Sequence, residues 1–322
     1  MRTAELDYDL PDAAIAQVPV EPRDTARLLC DQGPGRAPTH RRVRDLPDLV
    51  RPGDVIVIND TRVRAARVHL RKSTGGAVEV LLLEPRTGEL WEALIRPSRK
   101  VNVGTWLGET VEVVERLGDG RWLVAVHGDL SDIAEVPLPP YIREPLADPE
   151  RYQTVFARRE ASVAAPTAGL HLTNDVIDRC RGQGARVEAI ELVVGLDTFR
   201  PVTVEDLDDH AIHTERYEVP AATMEAVERA ERVIAIGTTV VRALESAGLT
   251  GSLTGRTDLF IRRGYDFRVV DALVTNFHVP RSTLLALIDA FIGPRWRDLY
   301  AVALAEGYRF LSFGDAMYVE RR

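Results

Sequence analysis

The sequence predicts an α/β domain with an inserted small all-β barrel domain. After Arg151, short β-branched runs alternate with helical patterns, which is typical of α/β domains. Before it, β-rich runs are separated by glycine turns, which is typical of small antiparallel barrels or sandwiches. We therefore expect residues 1–62 and 151–322 to form a discontinuous α/β domain, and residues 63–150 to form the insertion.

The amino-terminal part contains a predicted short helix and a predicted strand. Residues 6–17 favour an entry segment and a helix, with Asp9 as a candidate N-cap. Residues 54–59 (DVIVIN) follow Pro52-Gly53 and are rich in β-branched side chains. This run predicts a buried strand.

The middle of the chain lacks a helical period. Its runs AVEVLLLEP, LWEALIRP, TVEVVERL and RWLVAVHG are separated by the turn sequences STGG, RTGE and LGDG. These features predict several short antiparallel strands. The sequence PLPP at 137–140 marks the end of this region.

The second half predicts alternating helices and strands. Thr173 is the expected N-cap of the first helix, and Gly182 or Gly184 is its expected stop. We expect helices over 173–181, 223–232, 240–247 and 282–291, and strands over 187–194, 233–237 and 272–279.

Bulk properties exclude several classes of protein. The sequence has no apolar run typical of a signal peptide, and none near the roughly 20 residues of a membrane helix. Cys30 and Cys180 are far apart, which argues against a disulfide or zinc framework. We expect a cytoplasmic, monomeric protein without a membrane partner.

The charge is unevenly distributed along the chain. The net charge of −8 argues against a general polyanion binder. Residues 36–72, however, hold ten Lys or Arg against four Asp or Glu, which leaves −14 for the remainder. This stretch is able to meet phosphates, and the alternative is a solvated arginine-rich surface.

Ligands of open α/β sheets collect beyond the carboxyl ends of the strands, so the strand-to-helix junctions are the expected places for chemistry. The first junction is 162–173 (SVAAPTAGLHLT). Its small residues allow a ligand to approach the backbone, and Thr167 and His171 supply polar groups. The helix start at Thr173 favours an anion. The alternative is a plain Pro/Gly loop with a structural histidine.

Two further junctions carry polar side chains. In 236–245 (IGTTVVRALE), Gly237, Thr238 and Thr239 begin a helix, with Arg242 one turn further along. This pattern suits a carboxylate or phosphate, and the alternative is an ordinary cap beside a surface arginine. In 275–284 (TNFHVPRSTL), Asn276 and His278 share one face of an extended segment.

Three smaller polar clusters are further candidates, and the usual catalytic and nucleotide-binding motifs are absent from the sequence. The clusters are Asn59-Asp60-Thr61-Arg62, the run GLDTFRPV with Arg200, and FGDAM with Asp315. The sequence lacks HExxH, GxSxG and GxGxxG fingerprints. His210 and His213 are three apart, but no carboxylate–histidine set accompanies them, so we expect no metal site.

Many segments, in order along nearly the whole chain, resemble the S-adenosylmethionine:tRNA ribosyltransferase-isomerase family. The matching segments are DYDLPDAAIAQ, PRDTARLL, GDVIVINDTRVRAARV, WEALIRPSRKV, LPPYI, RYQTVFA, SVAAPTAGLHLT, TFRPV, HAIHTERYEVP, IGTTVVRALES, DALVTNFHVPRSTLL and FGDAM.

The resemblance implies a fold and a reaction. It implies an α/β domain with an inserted β-barrel. It also implies transfer and isomerisation of the ribosyl part of S-adenosylmethionine onto 7-aminomethyl-7-deazaguanine at the wobble position of tRNA. The products are epoxyqueuosine in tRNA, adenine and methionine. S-adenosylmethionine is then a consumed substrate, no cofactor is tightly bound, and the partner is the anticodon loop of tRNA.

The implied chemistry needs a base, because the sulfonium acidifies the 5′ carbon next to it, and the departing adenine needs a proton or hydrogen bond. The candidate catalytic residues, unranked, are His171, His213, His278, Asp60 and Asp315. The candidate substrate-binding residues are Asn59, Arg62, Pro166, Thr167, Ala168, Gly169, Arg200, Gly237, Thr238, Thr239, Arg242 and Asn276. Arg242 with Thr238 is the expected site for the methionine carboxylate or a phosphate.

The chain departs from the family's usual text at several positions. Val193 stands where histidine is common, Asp197 and Ala161 where glycine is common, Leu172 where an aromatic is common, and Val240 where serine is common. We expect Val193 and Asp197 near the site, and loss of an aromatic at 172 to weaken base stacking by about 1–3 kcal/mol.

Three hypotheses of function follow. The first is the family's tRNA reaction, the second is the same chemistry on another, small-molecule acceptor, and the third is an RNA-binding module without catalysis. The basic stretch 36–72 favours the first and third, and the altered loop at Val193 and Asp197 favours the second.

Overall fold

The computed structural model describes residues 1–99, 101–118, 120–195, 201–212 and 214–321. The chain falls into two compact units. Unit 1 contains Met1–Arg62 and Pro139–Arg322, and unit 2 contains Val63–Leu138. Residues 139–150, which the sequence analysis assigned to the insertion, group with unit 1.

The described chain contains short strands throughout. In chain order they are β1 (Arg27–Cys30), β2 (Thr39–Arg42), β3 (Asp54–Asn59), β4 (Thr61–Val63), β5 (Arg67–Arg71), β6 (Ala77–Pro85), β7 (Leu90–Arg96), β8 (Trp106–Leu107), β9 (Val111–Arg116), β10 (Arg121–Val126), β11 (Ala134–Glu135), β12 (Arg159–Ser162), β13 (Arg186–Leu192), β14 (Glu215–Glu218), β15 (Arg232–Ile236), β16 (Thr254–Thr257), β17 (Ala272–Asn276) and β18 (Ala316–Glu320).

The helices are concentrated in the second half. They are α1 (Asn174–Gly182), α2 (Ala221–Glu228), α3 (Thr238–Thr250), α4 (Thr283–Ile292) and α5 (Trp296–Ala305). Short 3-10 helices cover Thr3–Leu6, Asp12–Ala14, Arg23–Thr25, Val43–Leu49, Pro149–Tyr152, Thr167–His171, Leu207–Asp209 and Gly293–Arg295. None of the helices in the described part of the chain combines the length and apolar content that a bilayer crossing requires.

Unit 1 is built on a nine-stranded mixed sheet. Its strand order is β16-β14-β13-β3-β15-β17-β18-β1-β2. In its centre, β3 pairs in parallel with β13 and β15, and β15 pairs in parallel with β17. The carboxyl ends of β3, β15 and β17 therefore lie side by side at one edge of the sheet.

Alternating side chains of the central strands enter two different apolar cores. On β3, Val55 and Val57 belong to one core, and Ile56 and Ile58 to the other. The first core also holds α3, α4 and α5, and the second holds α1. The period of two along a strand thus gives helices on both faces of the sheet.

The amino ends of β3 and β15 carry an ion-pair network. The Arg232 guanidinium donates to Asp54 Oδ2 at 2.6 Å and to Glu320 Oε1 at 2.6 Å. It also donates to Tyr318 Oη at 3.0 Å. The Asp54 side chain is 2% exposed, so this pair is buried.

Two predicted helices are confirmed, and so is the cap predicted at Thr173. Thr173 Oγ1 accepts a hydrogen bond from Val176 N at the start of α1, and Ser282 Oγ accepts one from Leu285 N at the start of α4. The helix predicted within residues 6–17 was wrong. Only 3-10 turns form there, because Pro11 fixes an extended backbone before Asp12.

Unit 2 is a curled, seven-stranded antiparallel sheet with the order β11-β5-β6-β7-β10-β9-β8. Val68, Val80, Val113 and Val124 are fully buried within it. A bridge between Lys72 and Leu107 brings the end of β5 to β8.

Candidate functional site

A cleft lies in unit 1 at the carboxyl ends of β15 and β17. It encloses about 530 Å³ of space, partly open to solvent. Three walls are the sequence's predicted junctions, namely 165–168, 237–239 and 275–279, and a further wall contains Tyr141, Leu311 and Ser312. The described residues lining this cleft include no acidic side chain, arginine or lysine.

The first junction supplies a hydrogen-bonded chain. Pro166, Thr167 and Ala168 line the cleft, whereas Gly169 lies behind them against Phe156. Thr167 Oγ1 donates to Asn276 Oδ1 at 2.8 Å, and Asn276 Nδ2 donates to His171 Nε2 at 3.1 Å. These bonds fix the orientation of the Asn276 amide.

The second junction presents a helix start to the cleft. Gly237 has a φ of +95°, a conformation that strongly favours glycine, and Thr238 and Thr239 line the cleft at the beginning of α3. The first N–H groups of a helix lack partners within it and favour negative charge.

Arg242 does not line the cleft. Its guanidinium pairs with the buried Glu215 and donates to the carbonyl oxygens of Thr257 and Leu259. Glu215 also accepts a hydrogen bond from Gly195 N. Arg242 therefore has partners of its own within the fold, and the carboxylate or phosphate role expected for it finds no support in its position.

The third junction places His278 in the cleft wall. Its Nε2 lies 2.9 Å from Thr275 Oγ1, and its backbone N–H donates to Tyr300 Oη at 2.9 Å. Burial lowers the pKa of His278 from 6.5 to about 3. The ring is therefore neutral at pH 7.

His171 lines a separate, smaller cavity together with Arg23 and Arg151. This cavity encloses about 210 Å³ of space, partly open to solvent. The pKa of His171 is lowered to about 3, first by burial and then by the positive charges of Arg309, Arg151 and Arg23. Ser312 lines both this cavity and the cleft, so the two lie next to each other.

The carboxylate candidates lie outside the cleft lining. Asp315 accepts hydrogen bonds from Arg27 N and Arg309 N, both at 2.8 Å, and is 3% exposed. The pKa of Asp60 is raised, mainly by burial, while the charge of Arg158 opposes the rise. Asp315 thus ties β1 to the turn before β18, and Asp60 remains a half-buried acid elsewhere.

The remaining predicted binding residues have mainly structural surroundings. Asn59 donates to Leu192 O at 3.0 Å and accepts from Thr61 N and Leu192 N, both at 3.2 Å. Arg62 pairs with Glu150 and Glu160. Neither residue lines the cleft. Arg200 and His213 lie outside the described residues.

Some residues differ from the usual sequence of the family. Those that the structure describes do not line the cleft. Leu172 is 2% exposed in the α1 core, and Val240 is fully buried in the opposite core. Leu172 therefore offers no stacking surface to a base. Val193 is half-buried and donates its N–H to Arg216 O at 2.9 Å, and Asp197 lies outside the described residues.

Sequence reasoning missed one wall of the cleft. Tyr141 Oη lies 2.7 Å from Ser312 Oγ, and Leu311 has a φ of +69°. Tyr141 follows the PLPP sequence, which was interpreted only as a boundary. The same turn contains Gly314, where an added Cβ would lie 2.4 Å from Arg309 O. The FGDAM run marked the end of this turn as a candidate through Asp315, but no pattern in the sequence indicated that Tyr141, Leu311 and Ser312 line the cleft.

Within the described ranges, no group of three or more His, Cys, Asp or Glu is arranged to hold a metal ion. The cleft instead offers hydroxyl, amide and imidazole groups, which suit hydrogen bonding and proton transfer.

The fold is that of an α/β protein with a cleft beyond the carboxyl ends of parallel strands, which is where open α/β sheets usually bind their ligands. The family model described as "Queuosine biosynthesis protein" matches residues 3–319. The chain belongs to this queuosine biosynthesis family.

Curated relatives and a solved structure agree with this assignment. The chain is 53% identical to the S-adenosylmethionine:tRNA ribosyltransferase-isomerase of Rubrobacter xylanophilus, over 98% of this chain and 97% of that protein. It is 51% identical to the protein of the same name from Thermus thermophilus, over 97% and 98%. The crystal structure of S-adenosylmethionine tRNA ribosyltransferase from Thermotoga maritima is 34% identical, with a TM-score of 0.57, over 98% of this chain and 99% of that chain.

Proposed function

We propose that this protein transfers and isomerises the ribosyl moiety of S-adenosylmethionine onto 7-aminomethyl-7-deazaguanine at the wobble position of tRNA. The products are epoxyqueuosine in tRNA, adenine and methionine. The observation that carries the proposal is 51–53% identity, over at least 97% of the chain, to relatives named for this activity. The three predicted junctions line one cleft, which supports the cleft as the site of the reaction.

The cleft is the proposed site for S-adenosylmethionine. Its described lining has no charged side chain, so the sulfonium remains poorly screened and continues to acidify the neighbouring 5′ carbon. The start of α3 at Thr238 and Thr239 is the proposed site for the methionine carboxylate. Arg242 is left out of this role, because it pairs with Glu215.

His278 is the proposed base. Among the five candidates, it is the one that the described structure puts in the cleft lining. Its ring is neutral at pH 7, and the hydrogen bond with Thr275 orients it. It would remove a proton from the 5′ carbon, and Asn276 and Thr167 would hydrogen-bond the substrate nearby.

The anticodon loop of tRNA is the proposed acceptor. The edge strand β2 carries the exposed Arg42 and the half-buried Arg41. Arg42 donates to Thr25 O and Arg41 pairs with the exposed Asp48, and their position on the surface supports contacts with phosphates. The departures at Leu172 and Val240 are buried in the cores, so they do not favour a different acceptor.

Unit 2 is proposed to be an inserted small β-barrel. The Lys72–Leu107 bridge and a hydrogen bond from Gly108 N to Arg71 O, at 2.7 Å, support closure between β5 and β8.

One assay tests the function. The protein is incubated with S-adenosylmethionine and tRNA bearing 7-aminomethyl-7-deazaguanine, and both adenine release and modified tRNA are measured. We expect the two products in equal amounts. Adenine without modified tRNA would indicate another acceptor, and tRNA binding without turnover would indicate a non-catalytic module. Either result refutes the proposal.

A further inference from the structure

The smaller cavity brings together three side chains that the proposed reaction does not use, each from a different segment of the sequence. Arg23 comes from PRDTARLL, Arg151 from RYQTVFA and His171 from PTAGLHLT. Pro19, Val20 and Leu170 contribute apolar walls. We call this space the arginine cavity.

Protein groups hold both arginines in place. Arg23 Nη1 donates to Gln153 O at 3.0 Å and to Leu170 O at 3.3 Å. Arg151 Nη2 donates to Val20 O at 2.9 Å, and its Nε pairs with Glu21. The guanidinium groups are therefore fixed before any ligand arrives.

Hydrogen-bond donors remain unused around the cavity. Among the described residues, Arg151 Nη1 and Arg309 Nη2 are buried and have no hydrogen-bond partner. The Arg151 side chain is 14% exposed. Buried donors without partners are costly, so an acceptor from outside the protein would be favoured here.

The described lining of the cavity is positively charged, since it contains two arginines and no carboxylate. Arg23, Arg151 and Arg309 are close enough to His171 for their charges to lower its pKa. Acids next to these arginines lie outside the lining, namely Glu21, which is 66% exposed, Asp148, which acts on Arg23, and Asp315, which accepts a hydrogen bond from Arg309 N.

His171 adds a neutral donor. Asn276 Nδ2 donates to its Nε2, so the neutral ring carries its proton on Nδ1. The same Asn276 lines the cleft, and Ser312 lines both spaces. A group in the arginine cavity therefore lies next to whatever occupies the cleft.

We propose that the arginine cavity binds one phosphodiester group of the tRNA backbone, next to the nucleotide that enters the cleft. This proposal rests on the function proposed above. The positive charge excludes the aminomethyl and sulfonium groups. An amino acid would bring an ammonium group, for which the described lining has no acidic partner, whereas a phosphodiester brings only acceptors.

The first test uses Arg151→Gln with Arg229→Gln as its matched control. Arg229 is 75% exposed at the carboxyl end of α2, where it pairs with the exposed Glu225, so its loss removes the same charge from open surface. For R151Q we expect KM for an anticodon stem-loop to rise about tenfold, and the slope of log affinity against log salt to fall by about 0.7–0.9. KM for S-adenosylmethionine should not change, and R229Q should match the wild type.

A second pair of variants keeps the test valid if R151Q does not fold. Arg151→Lys retains the charge and should recover part of the affinity and of the salt slope. Glu21→Gln keeps the arginine and removes its exposed partner, so KM for the stem-loop should fall roughly two- to threefold. An unchanged KM for the stem-loop in both would contradict the proposal.

The third test changes the RNA instead. In the wild-type protein, a neutral methylphosphonate at one linkage beside the wobble nucleotide should raise KM, and in R151K or R151Q the same change should have a smaller effect. If the methylphosphonate and the Arg151 substitution raise KM independently of each other at every linkage tested, the proposal is overturned. A raised KM for S-adenosylmethionine in R151Q also overturns it, because the cavity would then hold the methionine carboxylate.

The control for the reaction is separate. Lack of turnover by the wild-type protein on modified-precursor tRNA refutes the proposed function. If the wild-type protein turns over and R151Q has the same KM and salt dependence for the stem-loop, only the phosphate site is refuted.

Discussion

The two ends of strand β15 differ sharply in charge. At its amino end, Arg232 pairs with the buried Asp54 and with the partly exposed Glu320. At its carboxyl end, the described cleft lining has hydroxyl, amide and imidazole groups without a formal charge. The same strand thus places paired charges where only the fold needs them, and leads to a neutral surface where the proposed substrate brings its own charges.

The largest expected effect concerns the amino end. Arg232→Met should lower the free energy of unfolding by about 3–5 kcal/mol, because it leaves the buried Asp54 carboxylate without its partner. Chemical denaturation measures this loss, and kcat per folded molecule should be unchanged. A loss of kcat with unchanged stability would break the comparison between the two ends.

The second prediction concerns the carboxyl end. His278→Gln should lower kcat about a hundredfold or more, since the proposed base is lost. Its Tm should change far less than that of Arg232→Met. Single-turnover adenine release measures the step. A variant with near wild-type adenine release would remove His278 from the catalytic role.

The third prediction is a pH dependence of stability. His171 and His278 stay neutral in the folded protein down to about pH 3, whereas in the unfolded chain they take up protons below about 6.5. The unfolded state therefore binds more protons between these values. The contribution of the two histidines to the free energy of unfolding is therefore fully present above pH 6.5. It falls by about 1.4 kcal/mol per pH unit for each histidine as the pH is lowered from 6.5 towards 3.

Urea denaturation between pH 6.5 and 5 measures this slope. His278→Gln should remove the contribution of one histidine to the slope of unfolding free energy against pH, whereas Arg232→Met should keep the contributions of both. Identical slopes in His278→Gln and the wild type would show that the ring is not held neutral by the fold.

The smallest expected effect concerns the start of α3. Thr238→Val should raise KM for S-adenosylmethionine about fivefold through loss of one hydrogen bond, with kcat and Tm preserved. Thr254→Val, an exposed position on β16, is the matched control. Equal KM values in the two variants would indicate that the Thr238 hydroxyl does not contact the ligand.

Local features of the fold were predictable from the sequence. The strand over 54–59 and the helices beginning after Thr173 and Ser282 depend on β-branched content and caps, which are properties of neighbouring residues. The helix predicted within 6–17 was wrong because this segment pairs its backbone with a distant part of unit 1, as Ile15 does in its bridge to Phe310.

The site was predictable only in part, for the same physical reason. The junctions at 165–168, 237–239 and 275–279 follow from strand ends, and all three line the cleft. The partner of Arg242 is Glu215, 27 residues away, and the Tyr141–Ser312 contact spans 171 residues. Such pairings depend on the folded topology, which residue spacing alone does not determine.

The close approach of Gly314 to the Arg309 carbonyl has a genetic consequence. Every amino acid that a single-nucleotide change in a glycine codon can encode has a β carbon, and here that atom would lie 2.4 Å from the oxygen. A mutational scan should therefore find position 314 as intolerant as a catalytic position, although its restriction is steric. Selection at such a codon preserves the shape of a turn. The positions that do not tolerate substitution will therefore include residues that make no contact with the substrate.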